Sequence, residues 1–190
     1  MDTKRKGIRR VEVSYTKNFY CSSIKKCDKM SDGMELVHAL LSSKVEENSI
    51  AVFLDQQYFV LGIAEIGMGN IASVSMPVRN IAQRALLCNA SHVIVAHNHP
   101  SGHCIPSDPD LLCTSALAVG LSLFEINLLD AFVVSQLGVF SIMQGAQFNL
   151  EEKSTKDFPD YKERIGSLMR QQVLQHFEKE EKEMLKGLIV

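Results

Sequence analysis

The stretch SHVIVAHNHPSGHCIPSDPD occupies residues 91–110 and joins a buried-strand pattern to side chains that commonly bind metals. The apolar run VIVA at residues 93–96 is typical of a buried strand, and it leads directly into His97 and His99. Alternate residues of an extended strand point to the same side of the sheet. Both imidazoles are therefore predicted to face one metal ion.

A third metal-binding group follows at the predicted start of a helix. Ser107 stands three positions before Asp110, directly ahead of an apolar run, and this spacing is typical of a helix N-terminus. Asp110 in the first helical turn then completes a set of nitrogen and oxygen ligands with His97 and His99. Three protein ligands leave a fourth tetrahedral position open to water, as in catalytic zinc sites. The stretch therefore predicts a hydrolase centre.

These residues also carry a resemblance to a known group of metalloproteases. The H-x-H-x7-S-x2-D signature of the JAMM metalloproteases, also called JAB or MPN domains, is reproduced by His97, His99, Ser107 and Asp110. The string HNHPSG, together with LLD at residues 128–130, resembles the RadC branch of that superfamily. The resemblance runs from about residue 47 to residue 141. It implies an α/β fold, a JAMM/MPN-type sheet flanked by helices, to which this chain adds a C-terminal helix.

The resemblance implies a general base and an oxyanion donor beside the metal. RadC-like sequences place a Glu eight residues before the Asp or Asn that ends a strand, and Glu47 stands eight residues before Asp55. We therefore predict Glu47 as the base, with Glu46 as the alternative, because a shift of one residue turns a strand side chain to the opposite face. The resemblance assigns the oxyanion donor to Ser107. An ordinary helix N-cap is the other interpretation of Ser107, and the two are compatible.

Four other positions are not predicted to bind the metal directly. His103 is interpreted as a loop residue, because a fourth protein ligand would close the site to water. Asn98 is expected to shape the loop rather than react. Asp130 either orients a metal-binding histidine or belongs to a local turn at the end of its strand. RadC-like sequences read LLDH where this chain reads LLDA, so Ala131 replaces a histidine and leaves open whether activity is altered.

The predicted function is that of a zinc-dependent hydrolase resembling RadC-like JAMM metallopeptidases, with one Zn²⁺ per chain. Its substrate is expected to be a protein or peptide whose peptide, isopeptide or related amide bond is attacked by a zinc-activated water. The alternative is a non-catalytic or weakly catalytic accessory protein in DNA repair or recombination, which the family name and the basic residues among the first ten suggest. The residues before Ser31 are too few for the helix-hairpin-helix module of longer RadC-like proteins, and this weakens the DNA-repair interpretation.

Composition indicates one globular domain of a cytoplasmic protein. The 190 residues are 46% hydrophobic and 22% charged, enough for one ordinary core, and the net charge of −2 gives no bias toward nucleic acid or membrane. No run approaches the about 20 apolar residues of a membrane-spanning helix, and MDTKRKGIRR lacks the apolar region of a signal peptide. The five cysteines are odd in number and contain no C-x-x-C pair, which argues against a disulfide scaffold or a zinc knuckle.

The chain divides into three predicted parts: an N-terminal arm with an edge strand (1–30), the RadC-like domain (31–148), and a linker with a C-terminal helix (149–190). Strands and helices are predicted to alternate through the domain. Helices are expected from a cap at Ser31 or Asp32 to about residue 43, from Pro77 onward, and at 111–121. Strands are expected at 8–15, 50–54, from 58, at 71–75, 126–134 and 139–141. The C-terminal helix is expected at 161–188, packed on the domain or on a second copy of the chain.

Overall fold

The structure, a computed structural model, describes residues 26–68 and 78–187, with side chains for residues 26–67 and 78–179. The edge strand expected at 8–15, the strand expected at 71–75 and the helix start expected at Pro77 lie outside the described residues. Within the described ranges the chain forms one mixed sheet with helices on both faces.

The described residues contain four helices and seven strands. The helices are α1 (Met30–Leu41), α2 (Val78–Leu87), α3 (Asp108–Ser122) and α4 (Pro159–Gly187). The strands are β1 (Asn48–Leu54), β2 (Val60–Met68), β3 (His92–Asn98), β4 (Asn127–Val134), β5 (Gly138–Ser141), β6 (Ala146–Asn149) and β7 (Ser154–Asp157). None of the helices in the two described ranges combines the length and apolar character needed to cross a membrane.

The strands form a single sheet in the order β2-β1-β3-β4-β5-β6-β7. β3 and β4 run parallel, and every other pair of neighbours runs antiparallel. Helices α2, α3 and α4 cover one face of the sheet, here called the α3 face, and α1 covers the other, the α1 face. The sheet and its helical layers confirm the predicted α/β fold.

β3 lies in the interior of the sheet, between β1 and β4, and is buried on both faces. Val95 belongs to the core under the α3 face, whereas Ala96 belongs to the core under the α1 face. Because successive side chains of a strand alternate between faces, a strand covered on both sides needs an unbroken apolar run. The same alternation turns His97 toward the α3 face and Asn98 toward the α1 face.

Residues 149–159 are not the linker that their polar composition predicts. They contribute the end of β6 and all of β7, which pair antiparallel and extend the sheet at its edge. Asn149 holds the turn between them, because its Oδ1 accepts hydrogen bonds from the backbone N–H groups of Glu151 and Glu152 at 3.0 and 3.1 Å. Every residue of β7 is exposed, so this edge strand has no apolar face for a sequence pattern to reveal.

Two element boundaries also differ from the predicted ones. α1 begins at Met30 with Lys29 as its N-cap, and Asp32 accepts a hydrogen bond from the Lys29 N–H at 3.0 Å instead of capping the helix itself. The strand expected from Tyr58 begins at Val60, because Tyr58 adopts the left-handed φ of 68° and belongs to the preceding turn.

The C-terminal helix α4 packs on the domain through its first turns, as expected. Ile165 is 3% exposed and lies in the core under the α3 face. Arg164 forms an ion pair with Asp108, in the first turn of α3. Farther along the helix, Leu174 and Phe177 are exposed. α4 therefore supports α3 near its N-terminal end and continues beyond the core.

Asp130 lies within β4 and not in a turn at the end of its strand, and the hydrogen bonds of its carboxylate join it to neighbouring backbone and Ser141 rather than to a metal-facing histidine. Its buried carboxylate accepts hydrogen bonds from the Ala131 N–H at 2.7 Å, the Met143 N–H at 3.2 Å and the Ser141 hydroxyl at 2.6 Å. These partners belong to β4, to β5 and to the chain just after β5. Burial raises the pKa of Asp130 to about 6, although all of these hydrogen bonds lower it.

This raised pKa predicts a pH-dependent stability that Asp130→Asn should remove. Because the folded state holds the proton more tightly than the unfolded state, the stabilisation is fully present below about pH 4 and is lost as the pH rises through about 6. A shift from 3.8 to about 6 corresponds to about 3 kcal/mol. Urea unfolding between pH 4 and pH 7 should therefore show a steeper fall in the free energy of unfolding for the wild type than for the variant. Equal slopes would contradict this origin of the pH dependence.

The packing of α4 predicts that Ile165→Ala is strongly destabilising. Truncation of a buried Ile removes apolar contacts and leaves a cavity, at a cost of about 2–5 kcal/mol. Leu174→Ala on the same helix is the matched control, because Leu174 is 63% exposed and its loss should change the free energy of unfolding by less than about 0.5 kcal/mol. Urea denaturation measures both. Equal effects of the two substitutions would show that α4 is not docked through Ile165.

Candidate metal centre

The pairing of β1 with β3 brings together residues that are far apart in the sequence. β1 and β3 are antiparallel, with Ser49 opposite His97. In this register the residues that precede Ser49 lie beside the residues that follow His97, so Glu47 is placed next to His99. α3 begins soon after the end of β3. Its first turn, which carries Asp110, therefore lies at the same end of the sheet as His97 and His99.

The predicted metal ligands meet at this end of the sheet. The two histidine Nε2 atoms lie 3.0 Å apart. Asp110 Oδ1 lies 3.4 Å from His97 Nε2, and Asp110 Oδ2 lies 3.8 Å from His99 Nε2. A carboxylate oxygen of Glu47 and one ring nitrogen from each histidine also lie within 4.8 Å of one another. Glu47, His97, His99 and Asp110 form what we call the four-residue cluster.

The spacing of the histidine and Asp110 atoms fits a zinc ion. Ligand atoms at about 2.0–2.2 Å from a tetrahedral Zn²⁺ are roughly 3.3–3.6 Å from one another. The separations between His97, His99 and Asp110, from 3.0 to 3.8 Å, bracket that range. The residues present therefore fit the metal that the sequence predicts.

His99 uses one ring nitrogen for a backbone hydrogen bond and turns the other, Nε2, toward the cluster. His99 Nδ1 lies 3.0 Å from the backbone carbonyl oxygen of His103, which can only accept a hydrogen bond. Nδ1 therefore donates to that carbonyl, which leaves Nε2 as the nitrogen of His99 whose lone pair a metal would bind, as in histidines that bind metals. His103 thus contributes its backbone carbonyl, while its own side chain is exposed, in agreement with the loop interpretation.

Burial keeps His97 neutral. Desolvation lowers the pKa of His97 to about 4, with a further lowering by His99 and an opposing effect of the Asp110 carboxylate. Metal ions bind the neutral imidazole. The neutral ring of His97, the ring of His99 and the carboxylate of Asp110 therefore converge on one small volume, and this is a donor set suited to a cation.

Ser107 and Asp110 form the predicted capping box at the start of α3. Asp110 Oδ2 accepts hydrogen bonds from the Ser107 N–H at 2.7 Å and from the Ser107 hydroxyl at 2.6 Å. Asp110 Oδ1 is the oxygen that lies nearer to His97. Oδ2 thus caps the helix and is also the oxygen on the side of His99, while Oδ1 faces His97, so the capping role of Asp110 leaves Oδ1 available for a metal.

The structure distinguishes the two candidate carboxylates before β1. Glu47 is half-buried and lies in the cluster with the histidines. Glu46 is exposed, and its backbone carbonyl accepts hydrogen bonds from the side chains of Asn48 and Asn98. The carboxylate beside the histidines is therefore that of Glu47.

Ala131, which replaces the histidine of RadC-like sequences, lies inside the core. Ala131 is paired with Val95 on β3 and is buried with it under the α3 face. His97 lies two residues farther along β3, opposite Val133. The small apolar side chain of Ala131 therefore fills a core position, two residues along the strand from the level of His97.

Comparison with known proteins places the chain among RadC-like proteins. The family model of the RadC-like JAB domain matches residues 27–148. The chain is 40% identical over 104 residues to UPF0758 protein Reut_A2732 of Cupriavidus pinatubonensis and 39% identical over 104 residues to UPF0758 protein Mpe_A2695 of Methylibium petroleiphilum. Each match covers 55% of this chain, and the two cover 46% and 47% of the relatives.

A UPF0758 protein of Chromohalobacter salexigens is 40% identical over 113 residues, which cover 57% of this chain and 50% of the relative. The chain therefore spans about half the length of the curated relatives it matches. The family match takes in the whole four-residue cluster and Ser107, and β7 and α4 lie beyond it. Because the match extends over more than half of the chain, this protein belongs to the RadC-like JAB domain family.

Proposed function

We propose that this chain is a zinc-dependent amide hydrolase that holds one Zn²⁺ through His97, His99 and Asp110. In this proposal Glu47 is the general base and Ser107 donates to the oxyanion. The observation that carries it is the position of the Glu47 carboxylate beside the same two imidazoles that Asp110 faces. With His97, His99 and Asp110 as the three protein ligands, the fourth tetrahedral position is left to water, and the Glu47 carboxylate beside it is of the kind that moves protons.

A zinc ion held by His97, His99 and Asp110 would polarise the scissile carbonyl and would lower the pKa of a bound water from about 15.7 to about 7. Glu47 takes a proton from the attacking water and delivers it to the nitrogen of the leaving amine as the carbon–nitrogen bond breaks. One carboxylate serves both transfers because it lies close to the ion-binding atoms and is only half-buried. His97 would remain able to hold the metal throughout, since burial disfavours protonation of its ring.

Ser107 supplies the hydrogen bond to the oxyanion. Its side chain is exposed at the start of α3, within reach of a bound substrate. A hydroxyl has a single proton, and in this structure it is donated to Asp110. Ser107 therefore rotates its hydroxyl from Asp110 to the oxyanion as charge develops on the substrate oxygen.

The substrate proposed is a protein or peptide with a peptide, isopeptide or related amide bond. A cytoplasmic location belongs to the same proposal and is supported by the four described cysteines, all of which are free thiols. The alternative, an accessory role in DNA repair or recombination, depends on the basic residues near the N-terminus, which lie outside the described residues.

Metal content and hydrolysis should separate the roles of Asp110 and Glu47. Elemental analysis should find one zinc per chain in the wild type and in Glu47→Gln, and little in Asp110→Ala. Cleavage of a library of internally quenched fluorogenic peptides should fall by about 10²–10⁴-fold in Glu47→Gln, because the proton acceptor is lost. Glu46→Gln is the matched control and should retain both zinc and activity.

Two results would overturn the proposal. One is a folded wild-type protein that takes up no zinc after the metal is resupplied. The other is full peptide cleavage by Glu47→Gln, which would remove the base from the mechanism.

Loss of the Ser107 hydroxyl should slow catalysis without releasing zinc. Ser107→Ala removes the oxyanion donor, and removal of one such donor lowers kcat by about 10²–10³-fold. Ser107→Thr retains a hydroxyl at the same position and should keep most of the activity. Steady-state kinetics on a cleaved peptide, with zinc measured in parallel, test this. Equal kcat values for the Ala and Thr variants would contradict the oxyanion role.

A further inference from the structure

Asn98 separates the two metal-facing histidines but points to the opposite side of the sheet. It is the last residue of β3, and strand alternation turns its side chain toward the α1 face. The residue is 2% exposed. A buried amide is costly unless its hydrogen-bonding groups are paired, so its partners carry information about its role.

The amide of Asn98 binds the backbone of the segment that carries Glu47. Nδ2 donates to the carbonyl oxygens of Lys44 and Glu46 at 3.2 and 3.0 Å. Oδ1 accepts a hydrogen bond from the Asn48 N–H at 2.8 Å. Both donor hydrogens are used, and the bonded groups of Glu46 and Asn48 lie directly on either side of Glu47.

We propose that Asn98 is a positioning residue that sets the distance between the Glu47 carboxylate and the two imidazoles. This inference rests on the proposed function, in which Glu47 is the general base. The tripeptide 97–99 then performs two tasks through strand alternation: its outer residues face the metal, and its middle residue anchors the base. Any displacement at the end of β3 therefore moves the base together with the ligands, and their separation is preserved.

The hydrogen-bond pattern explains why an asparagine is suited to this position. Two carbonyl acceptors and one N–H donor require a side chain with two donor hydrogens and an acceptor at short reach. A carboxylate offers no donor, and a serine offers only one. Gln has the same groups on a longer side chain, which would push the segment away from β3.

The test compares Asn98→Ala with Asn149→Ala in the full-length protein. Asn149 is a matched control, because it also holds a turn by binding two backbone groups, and it lies in β6, away from the four-residue cluster. Three quantities are measured: uptake of Zn²⁺ and the visible spectrum of the Co²⁺-loaded protein, hydrogen exchange of the backbone at residues 44–49, and the kinetics of a peptide that the wild type cleaves.

We expect Asn98→Ala to bind one metal ion per chain with an unchanged Co²⁺ spectrum, because His97, His99 and Asp110 do not use the Asn98 amide. The Asn48 amide should exchange about tenfold faster or more, since its acceptor is gone. Misplacement of a catalytic group by about 1 Å costs roughly 10²-fold in rate, so kcat should fall by about that factor while KM stays within about threefold. Asn149→Ala should match the wild type in all three measurements.

The inference is overturned if the Asn48 amide exchanges as in the wild type, or if kcat is unchanged in Asn98→Ala while Glu47→Gln is inactive. It is also overturned if metal content and kcat fall together, because that result would describe a general structural role. Full activity of Glu47→Gln would instead contradict the proposed function. Hydrogen exchange at residues 44–49 would still show whether Asn98 anchors the segment that carries Glu47.

Asn98→Asp provides the test if the alanine variant does not fold. Its carboxylate keeps the size of the side chain and the acceptor for the Asn48 N–H, but it cannot donate to the carbonyls of Lys44 and Glu46. Faster exchange around Glu47 and a lower kcat with metal retained would support the inference. Wild-type exchange and kcat in this variant would overturn it.

Discussion

The antiparallel pairing of β1 with β3 is the constraint on which the candidate site depends. Ser49 lies opposite His97, so the chain entering β1 and the chain leaving β3 meet at one end of the sheet. This register brings Glu47 and the histidines together, although they are far apart in the sequence. A slip of one residue would turn the side chains of β1 to the other face and carry Glu47 away from the histidines.

Burial determines the chemical state of this site. Asp110 and His97 are both almost fully buried, and a buried carboxylate is costly unless it is paired. Ser107 satisfies one oxygen of Asp110 through the capping box, which leaves the other oxygen facing the neutral imidazole of His97. An electron-rich set of this kind gains stability from a cation, so binding of a metal and stability of the fold are expected to be coupled.

Local patterns in the sequence were sufficient for the elements that carry the site. The apolar run at 93–96 predicts β3, alternation places His97 and His99 on one side, and the spacing of Ser107 and Asp110 predicts the start of α3, all as observed. The α/β fold followed from the order of such elements and from the resemblance. Residues 149–159 were misinterpreted as a linker, because the exposed edge strand β7 lacks the apolar alternation that marks a strand.

By itself, then, the sequence determined which side chains of β3 share a strand face and where α3 begins, since these features depend on periods of two to four residues. Tertiary structure decided the rest. The position of the Glu47 carboxylate beside the histidines depends on the register of β1 against β3. The hydrogen bond of His99 Nδ1 depends on a backbone carbonyl of His103, and the contacts of Asn98 depend on the segment that enters β1. Backbone groups carry no side-chain signal, and pairings between distant strands are set by the packing of the whole sheet.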